Sequence, residues 1–241
     1  MNSQYAVSSF AARLADLRAR LRAAAERAGR NPDEITLLPV SKTFGTDALR
    51  EAVAAGLTRF GENKVQEIRT KHQQLQDLNL HWVMIGHLQT NKAKDVARLV
   101  TEVQSLDRQE LAEALQHRLE LENRSIDVLV QVKTASEPSK YGIEPDQLPD
   151  LLRYLSTQAP RLHVQGLMTM ATNSPDPEEV RACFRRLRLL RDEMRQANLP
   201  GIALDRLSMG MSGDFELAIE EGSTEIRVGS ALFGARSYET Q

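Results

Sequence analysis

Lys42 closes an apolar run, Leu37-Leu38-Pro39-Val40, that reads as a buried strand. A lysine amine attacks only when neutral, and in water its pKa is about 10.4. Desolvation at the end of such a run disfavours the ammonium form. The neutral amine can then add to an aldehyde and form a Schiff base. The plainer readings of the same residue are a lysine snorkelling from a strand end and a simple anion binder. A second signal lies far along the chain, in Ser208-Met209-Gly210-Met211-Ser212-Gly213-Asp214. Gly210 and Gly213 permit positive φ and close approach, so successive amides can point into one concavity. Ser212 adds a hydroxyl, and the helix expected next adds the partial positive charge of its first turn. Arg227-Val228-Gly229-Ser230 repeats the arrangement. The plain alternative is that these glycines only make tight turns.

These residues matter together only if the fold brings them together. Apolar, β-branched-rich runs occur at Ile35–Ser41, Thr58–Gly61, His81–Gly86, Thr101–Leu106, Asp127–Thr134, His163–Met170, Arg206–Ser212 and Thr224–Ser230. Helical periodicity predicts helices over Val7–Ala28, Thr46–Ala55, Lys64–Leu78, Asn91–Val100, Arg108–Glu122, Pro145–Ser156, Pro177–Ala197 and Asp214–Glu221. Strands alternating with helices predict parallel pairing through crossovers. Eight such units predict an α/β fold, a single (β/α)8 TIM barrel with an extra N-terminal helix. An open doubly wound sheet is the competitor. It calls for a G-x-G-x-x-G turn after the first strand, and Val40–Gly45 offers one glycine. The expected organisation is one domain over 1–241, with residues 1–30 packing a helix on the barrel.

Barrel active sites are built at the C-terminal ends of the strands, and phosphate is often held after strands seven and eight. That rule gathers Lys42, Glu62, Asn63, His87, Met168, Thr169, Met170, Ser212, Arg227 and Gly229 at one mouth. A lysine at strand one facing a phosphate cup at strands seven and eight suits a phosphorylated aldehyde. Pyridoxal 5'-phosphate satisfies both ends. A Schiff-base aldolase acting on a sugar phosphate would use the same lysine and cup without a cofactor.

Composition narrows the classes. The chain has 241 residues, with 31 Lys plus Arg against 33 Asp plus Glu and a net charge of -2. That balance speaks against a general nucleic-acid binder. One cysteine, Cys183, excludes an internal disulfide and a thiolate metal site, and it reads as a core thiol on the apolar face of Pro177–Ala197. The five histidines form no i,i+4 pair, so no metal site is expected. Six arginines between Arg13 and Arg30 read as the solvated face of an amphipathic helix, with a functional basic surface as the alternative. Neither a secretory leader nor a stretch of membrane-span length is recognisable. The expected location is the cytoplasm.

The segments Pro39–Thr43, Phe60–Glu67, His81–Lys92, Gly166–Met170, Leu207–Ser212, Gly222–Gly229 and Phe233–Arg236 run in order over nearly the whole chain. In combination they resemble the pyridoxal-phosphate homeostasis proteins, the YggS/PROSC type. The resemblance implies the alanine-racemase N-terminal barrel, a fold-type III cofactor scaffold, standing alone. It implies a protein that carries pyridoxal 5'-phosphate on Lys42 and acts in vitamin B6 balance without robust turnover. An amino-acid racemase is the alternative. The implied cofactor-binding residues are Lys42, Asn63, Met168, Ser212, Arg227 and Gly229, with Arg227 approaching the pyridine nitrogen. Implied partners are the cofactor and the apo-enzymes that receive it, with no nucleic acid, no membrane and a monomeric chain. This sequence departs from the family pattern at Gly213-Asp214-Phe215, His87 and Tyr141. Lys140 reads as a surface lysine, with a secondary cofactor amine as the alternative. Of the four tyrosines, Tyr5, Tyr141, Tyr154 and Tyr238, Tyr141 comes nearest to a mouth segment.

Overall fold

Parallel strands covered by helices need an apolar face toward those helices, and the short runs supply it. The computed structural model describes residues 9–137 and 140–234. Its strands are β1 (Thr36–Pro39), β2 (Arg59–Glu62), β3 (His81–Met84), β4 (Glu102–Leu106), β5 (Ile126–Gln131), β6 (Leu162–Met168), β7 (Ile202–Ser208) and β8 (Glu225–Val228). They form one parallel sheet in the order β1-β8-β7-β6-β5-β4-β3-β2. A parallel bridge between Val40 and Gly61 joins its two ends, so the sheet curls into the predicted barrel.

The helices are α1 (Phe10–Arg27), α2 (Thr46–Ala54), α3 (Val65–Gln74), α4 (Ala93–Leu99), α5 (Gln109–Leu121), α6 (Leu148–Gln158), α7 (Pro177–Gln196), α8 (Phe215–Glu220) and α9 (Ser230–Phe233). The Ser9 hydroxyl accepts from the Ala12 N–H at 3.2 Å and starts α1. Phe10, Leu14, Leu17, Leu21, Ala24 and Ala25 form its buried face. The predicted first residues of that helix, Val7 and Ser8, lie outside the described residues. Its arginines are more than a solvated face. Arg20 pairs with Glu216 at 2.6 Å and lies over the Phe215 ring at 4.8 Å, Arg27 pairs with Glu220 at 3.0 Å, and Arg30 donates to the Ile219 carbonyl at 2.7 Å. They fasten α1 across α8 near the barrel's closing strands. Cys183 is buried on the inner face of α7, as expected.

Strand seven starts earlier than the sequence reading places it. Ile202 to Leu204 enter the sheet after the Pro200-Gly201 turn, and the strand ends at Ser208. Gly210 then takes φ +98, so Met209 to Ser212 form a turn rather than a strand end. Gly166 marks a close approach within the sheet. A Cβ there would lie 1.9 Å from the Arg206 carbonyl oxygen, so β6 and β7 approach closely only because the side chain is absent.

Candidate functional site

All six predicted site residues line one cavity of about 390 Å³ at the C-terminal ends of the strands. Lys42 enters from β1, Asn63 from β2, Met168 from β6, Ser212 from β7, and Arg227 and Gly229 from β8. The volume falls within the range of small-molecule sites, about 300–1,000 Å³. Lys42 and the two Gly/Ser loops occupy the same wall, because β1 and β8 are neighbours in the sheet.

The cup is built from the turn chemistry. The Asp214 carboxylate accepts from the Met211 N–H at 2.6 Å and closes the turn after β7. Burial pushes the Asp214 carboxyl above its usual range, opposed by that hydrogen bond and by Arg227. The Ser212 hydroxyl accepts from the Ala231 N–H at 3.3 Å and ties the β7 loop to the β8 loop. Among the described residues, no acceptor lies within bonding reach of the N–H groups of Ser212, Gly213, Gly229 and Ser230. Four amides in two facing loops, beside a hydroxyl, are what an anionic phosphate requires. A Cβ on Gly229 would come 3.1 Å from the Val40 carbonyl oxygen, so glycine also sets how closely the loop passes β1.

Arg227 is buried, and its side chain is aimed from both sides. Its Nη1 donates to the Ser208 hydroxyl at 2.8 Å and its Nη2 to the Thr169 carbonyl at 2.8 Å. Ser208 in turn donates to Gln104 Oε1 at 2.7 Å. Burial lowers the Arg227 guanidinium to about 10, with Glu225 and Asp214 opposing. It therefore stays charged at neutral pH and acts only as a donor.

The expectation that Glu62 and Thr169 reach the mouth fails. Glu62 is fully buried behind β1, where it accepts from the Ser41 hydroxyl at 2.6 Å. The Thr169 hydroxyl donates to the Val132 carbonyl at 2.8 Å. Adjacent residues of a strand point to opposite faces, so Asn63 and Met168 take the cavity and these two do not. His87 and Met170 do line it. Lys140 is not a lining residue. Tyr141 is: its ring stacks on His87 with centroids 4.1 Å apart and planes 16° apart. Gln131, whose amide donates to the Tyr141 carbonyl at 3.1 Å, also lines the wall and was not singled out. Its signal was a polar residue at the C-terminal end of an apolar strand.

The family described as "Alanine racemase, N-terminal domain" matches residues 12–237. Among curated relatives, the pyridoxal phosphate homeostasis protein of Aquifex aeolicus is 45% identical over 94% of this chain and 98% of that protein. Its counterpart in Pseudomonas aeruginosa is 42% identical over 96% of this chain and 98% of its own length. This chain belongs to that family. Among solved structures, PipY of Synechococcus elongatus with PLP bound superposes with a TM-score of 0.83 at 38% identity, covering 94% of this chain and all of PipY (100%). An alanine racemase of Clostridium difficile superposes with a TM-score of 0.70 at 12% identity, over 94% of this chain and 58% of the racemase. The latter likeness is one of fold. The match spans nearly the whole length of the homeostasis proteins but little more than half of that racemase.

Proposed function

We propose that this chain holds pyridoxal 5'-phosphate on Lys42 and acts in vitamin B6 homeostasis. The observation that carries the reading is a single cavity lined by Lys42 and by the β7 and β8 loops, whose amides have no acceptor among the described residues. The name of the curated relatives and the PLP-bound PipY structure support it. When bound, the cofactor supplies an aldehyde that an amine captures reversibly as a Schiff base. Lys42 is the amine. Ser212 and the Gly229 loop hold the phosphate, Asn63 and Met168 line the ring, and Arg227 donates at the ring nitrogen.

Arg227 and the lack of a free tyrosine among the described cavity residues favour holding over turnover. A buried guanidinium donates a hydrogen bond and gives up no proton, so it leaves the ring a weak electron sink. Tyr141 is the described tyrosine on the cavity wall, and its ring is stacked on His87 rather than set free as a base. The reading extends to a single domain over 1–241, a monomeric state, a cytoplasmic location and delivery to apo-enzymes. One hydrophobic cluster running from Phe10 to Phe233 supports the single domain. Among the described residues, no helix is long and apolar enough to cross a membrane.

The test is an absorbance scan with added pyridoxal 5'-phosphate, wild type beside Lys42→Ala, followed by borohydride reduction and peptide mass mapping. The expected result is a cofactor band in wild type alone, with the phosphopyridoxyl mass on Lys42. A label scattered over surface lysines would remove the reading and bring the aldolase alternative forward.

A further inference from the structure

The backbone that carries Lys42 is held from behind by charged side chains that do not line the cavity. Lys71, on α3, is buried to 6% exposure, an unusual place for a lysine. Its Nζ donates to Glu62 Oε1 at 2.5 Å and to the Ser41 carbonyl at 2.8 Å, and it lies 3.5 Å from Glu67. The Ser41 hydroxyl donates to the same Glu62 oxygen at 2.6 Å. On the other side of Lys42, the Thr43 N–H donates to Glu67 Oε2 at 2.9 Å. Thr43 has φ +69, a left-handed conformation that a β-branched residue adopts only under strain. Such strain persists where surrounding contacts over-determine it.

Stability does not account for this arrangement. A buried ion pair is weak evidence for stability, because desolvation can exceed the attraction gained. Here Glu62 Oε2 is buried without a hydrogen-bond partner, so the carboxylate is only half satisfied. What the cluster does fix is geometry: Ser41 and Thr43, the neighbours of Lys42 on both sides, are each tied to it.

We infer that Glu62, Lys71 and Glu67 are positioning residues that clamp the Ser41–Thr43 backbone and aim the Lys42 amine at the aldehyde position. The inference rests on the proposed function and deepens it. Misplacing a reacting group by about 1 Å can cost about 100-fold in rate.

The experiment separates aim from affinity. The double variant Glu62→Leu/Lys71→Met removes both buried charges with apolar groups, a change buried pairs often tolerate. Lys71→Met alone accompanies it. Two quantities are read in each folded protein: calorimetric affinity for pyridoxine 5'-phosphate, which has no aldehyde, and the rate at which pyridoxal 5'-phosphate becomes borohydride-trappable on Lys42. Trace acetylation of the cofactor-free protein, mapped by mass, gives the reactivity of Lys42 relative to Lys64. The expected result is a trapping rate lowered at least about tenfold, an altered Lys42 to Lys64 labelling ratio, and an analogue affinity changed less than about twofold. An unchanged trapping rate overturns the clamp, and so does a parallel loss of rate and analogue affinity, which marks general damage to the mouth. Wild-type protein that takes up no label on Lys42 removes the proposed function itself, an outcome read before any variant.

Discussion

Glu62 ties folding stability to pH in a direction opposite to that of most carboxylates. Its side chain is fully buried, and desolvation pushes its carboxyl from 4.5 to about 7, with Lys71 and Ser41 opposing. Because the folded value lies above the unfolded one, the folded chain takes up the proton between about pH 4.5 and 7. The associated stability is fully present below the unfolded value and is lost as pH rises through about 7. A carboxyl moved from 4.5 to about 7 corresponds to about 3 kcal/mol of pH-dependent stability. Oε1 takes the hydrogen bonds from Lys71 and Ser41, which leaves Oε2 as the oxygen that the proton would occupy. Glu62→Gln keeps an oxygen at the Oε1 position and abolishes the titration. Urea unfolding of the cofactor-free protein between pH 5 and 8 measures the effect as the difference between variant and wild type, in which other titrations largely cancel. The stability of Glu62→Gln relative to wild type should rise by about 2–3 kcal/mol across that range, most of the total, at about 2 to 4 °C in Tm per kcal/mol for a chain of this size. A difference independent of pH would mean that Lys71 keeps Glu62 ionised throughout, and the argument from desolvation would be wrong.

Gly166→Ala places a Cβ 1.9 Å from the Arg206 carbonyl oxygen, which cannot yield without separating β6 from β7. Urea unfolding should show a loss of about 3 kcal/mol or more. Glu225→Ala leaves Arg59 and Arg206 with Glu102 alone at the barrel floor and should cost about 3–5 kcal/mol by the same assay. The Arg59 and Arg206 guanidinium groups hold the Glu225 carboxyl below its usual range, so its stabilising contribution fades as pH falls below the unfolded carboxylate value, and the Glu225→Ala deficit should shrink in acid. Tyr141→Ala removes the stack on His87 at the cavity mouth, worth about 0.5–1.5 kcal/mol. Stopped-flow release of pyridoxine 5'-phosphate should quicken, and the urea midpoint should fall by no more than the lost stack accounts for.

The barrel and its mouth were legible because both rest on local signals. Strand-length apolar runs alternating with helical periods specify parallel pairing, and the ends of those strands specify where Lys42, Asn63, Ser212 and Gly229 converge. What stayed hidden depends on contacts between distant elements. The stack of His87 on Tyr141 joins the loops after β3 and β5, and neither residue alone announces it. Glu62 and Asn63 read alike as polar residues ending a strand. Which one faces the cavity depends on the register of β2 against β1 and β3, set by the Val40–Gly61 bridge and the Glu62–Met84 pairing. Lys71 did leave a mark in the sequence. With Val65 and Ile68 it falls at a three-residue spacing on the buried face of α3, where a lysine is out of place without a partner.

The barrel interior carries a further signal of this kind. Inward positions of such barrels are commonly filled by Val, Ile and Leu. Here alternate residues of three strands are polar: Glu102 and Gln104, Arg206 and Ser208, Glu225 and Arg227. A two-residue period of charged, amide and hydroxyl side chains along these strands places them on one face, and in a closed barrel that face is the inside. They form a continuous column. Arg59 and Arg206 bind Glu102 and Glu225 at the floor, the Gln104 amide bridges those two carboxylates, Ser208 donates to Gln104, and Arg227 donates to Ser208. A polar network in which each of these contacts is made fixes one arrangement of its members. The guanidinium that faces the cavity is therefore set by the same contacts that close the floor of the barrel. A substitution at Gln104 would reach the site through Ser208 without touching anything bound there.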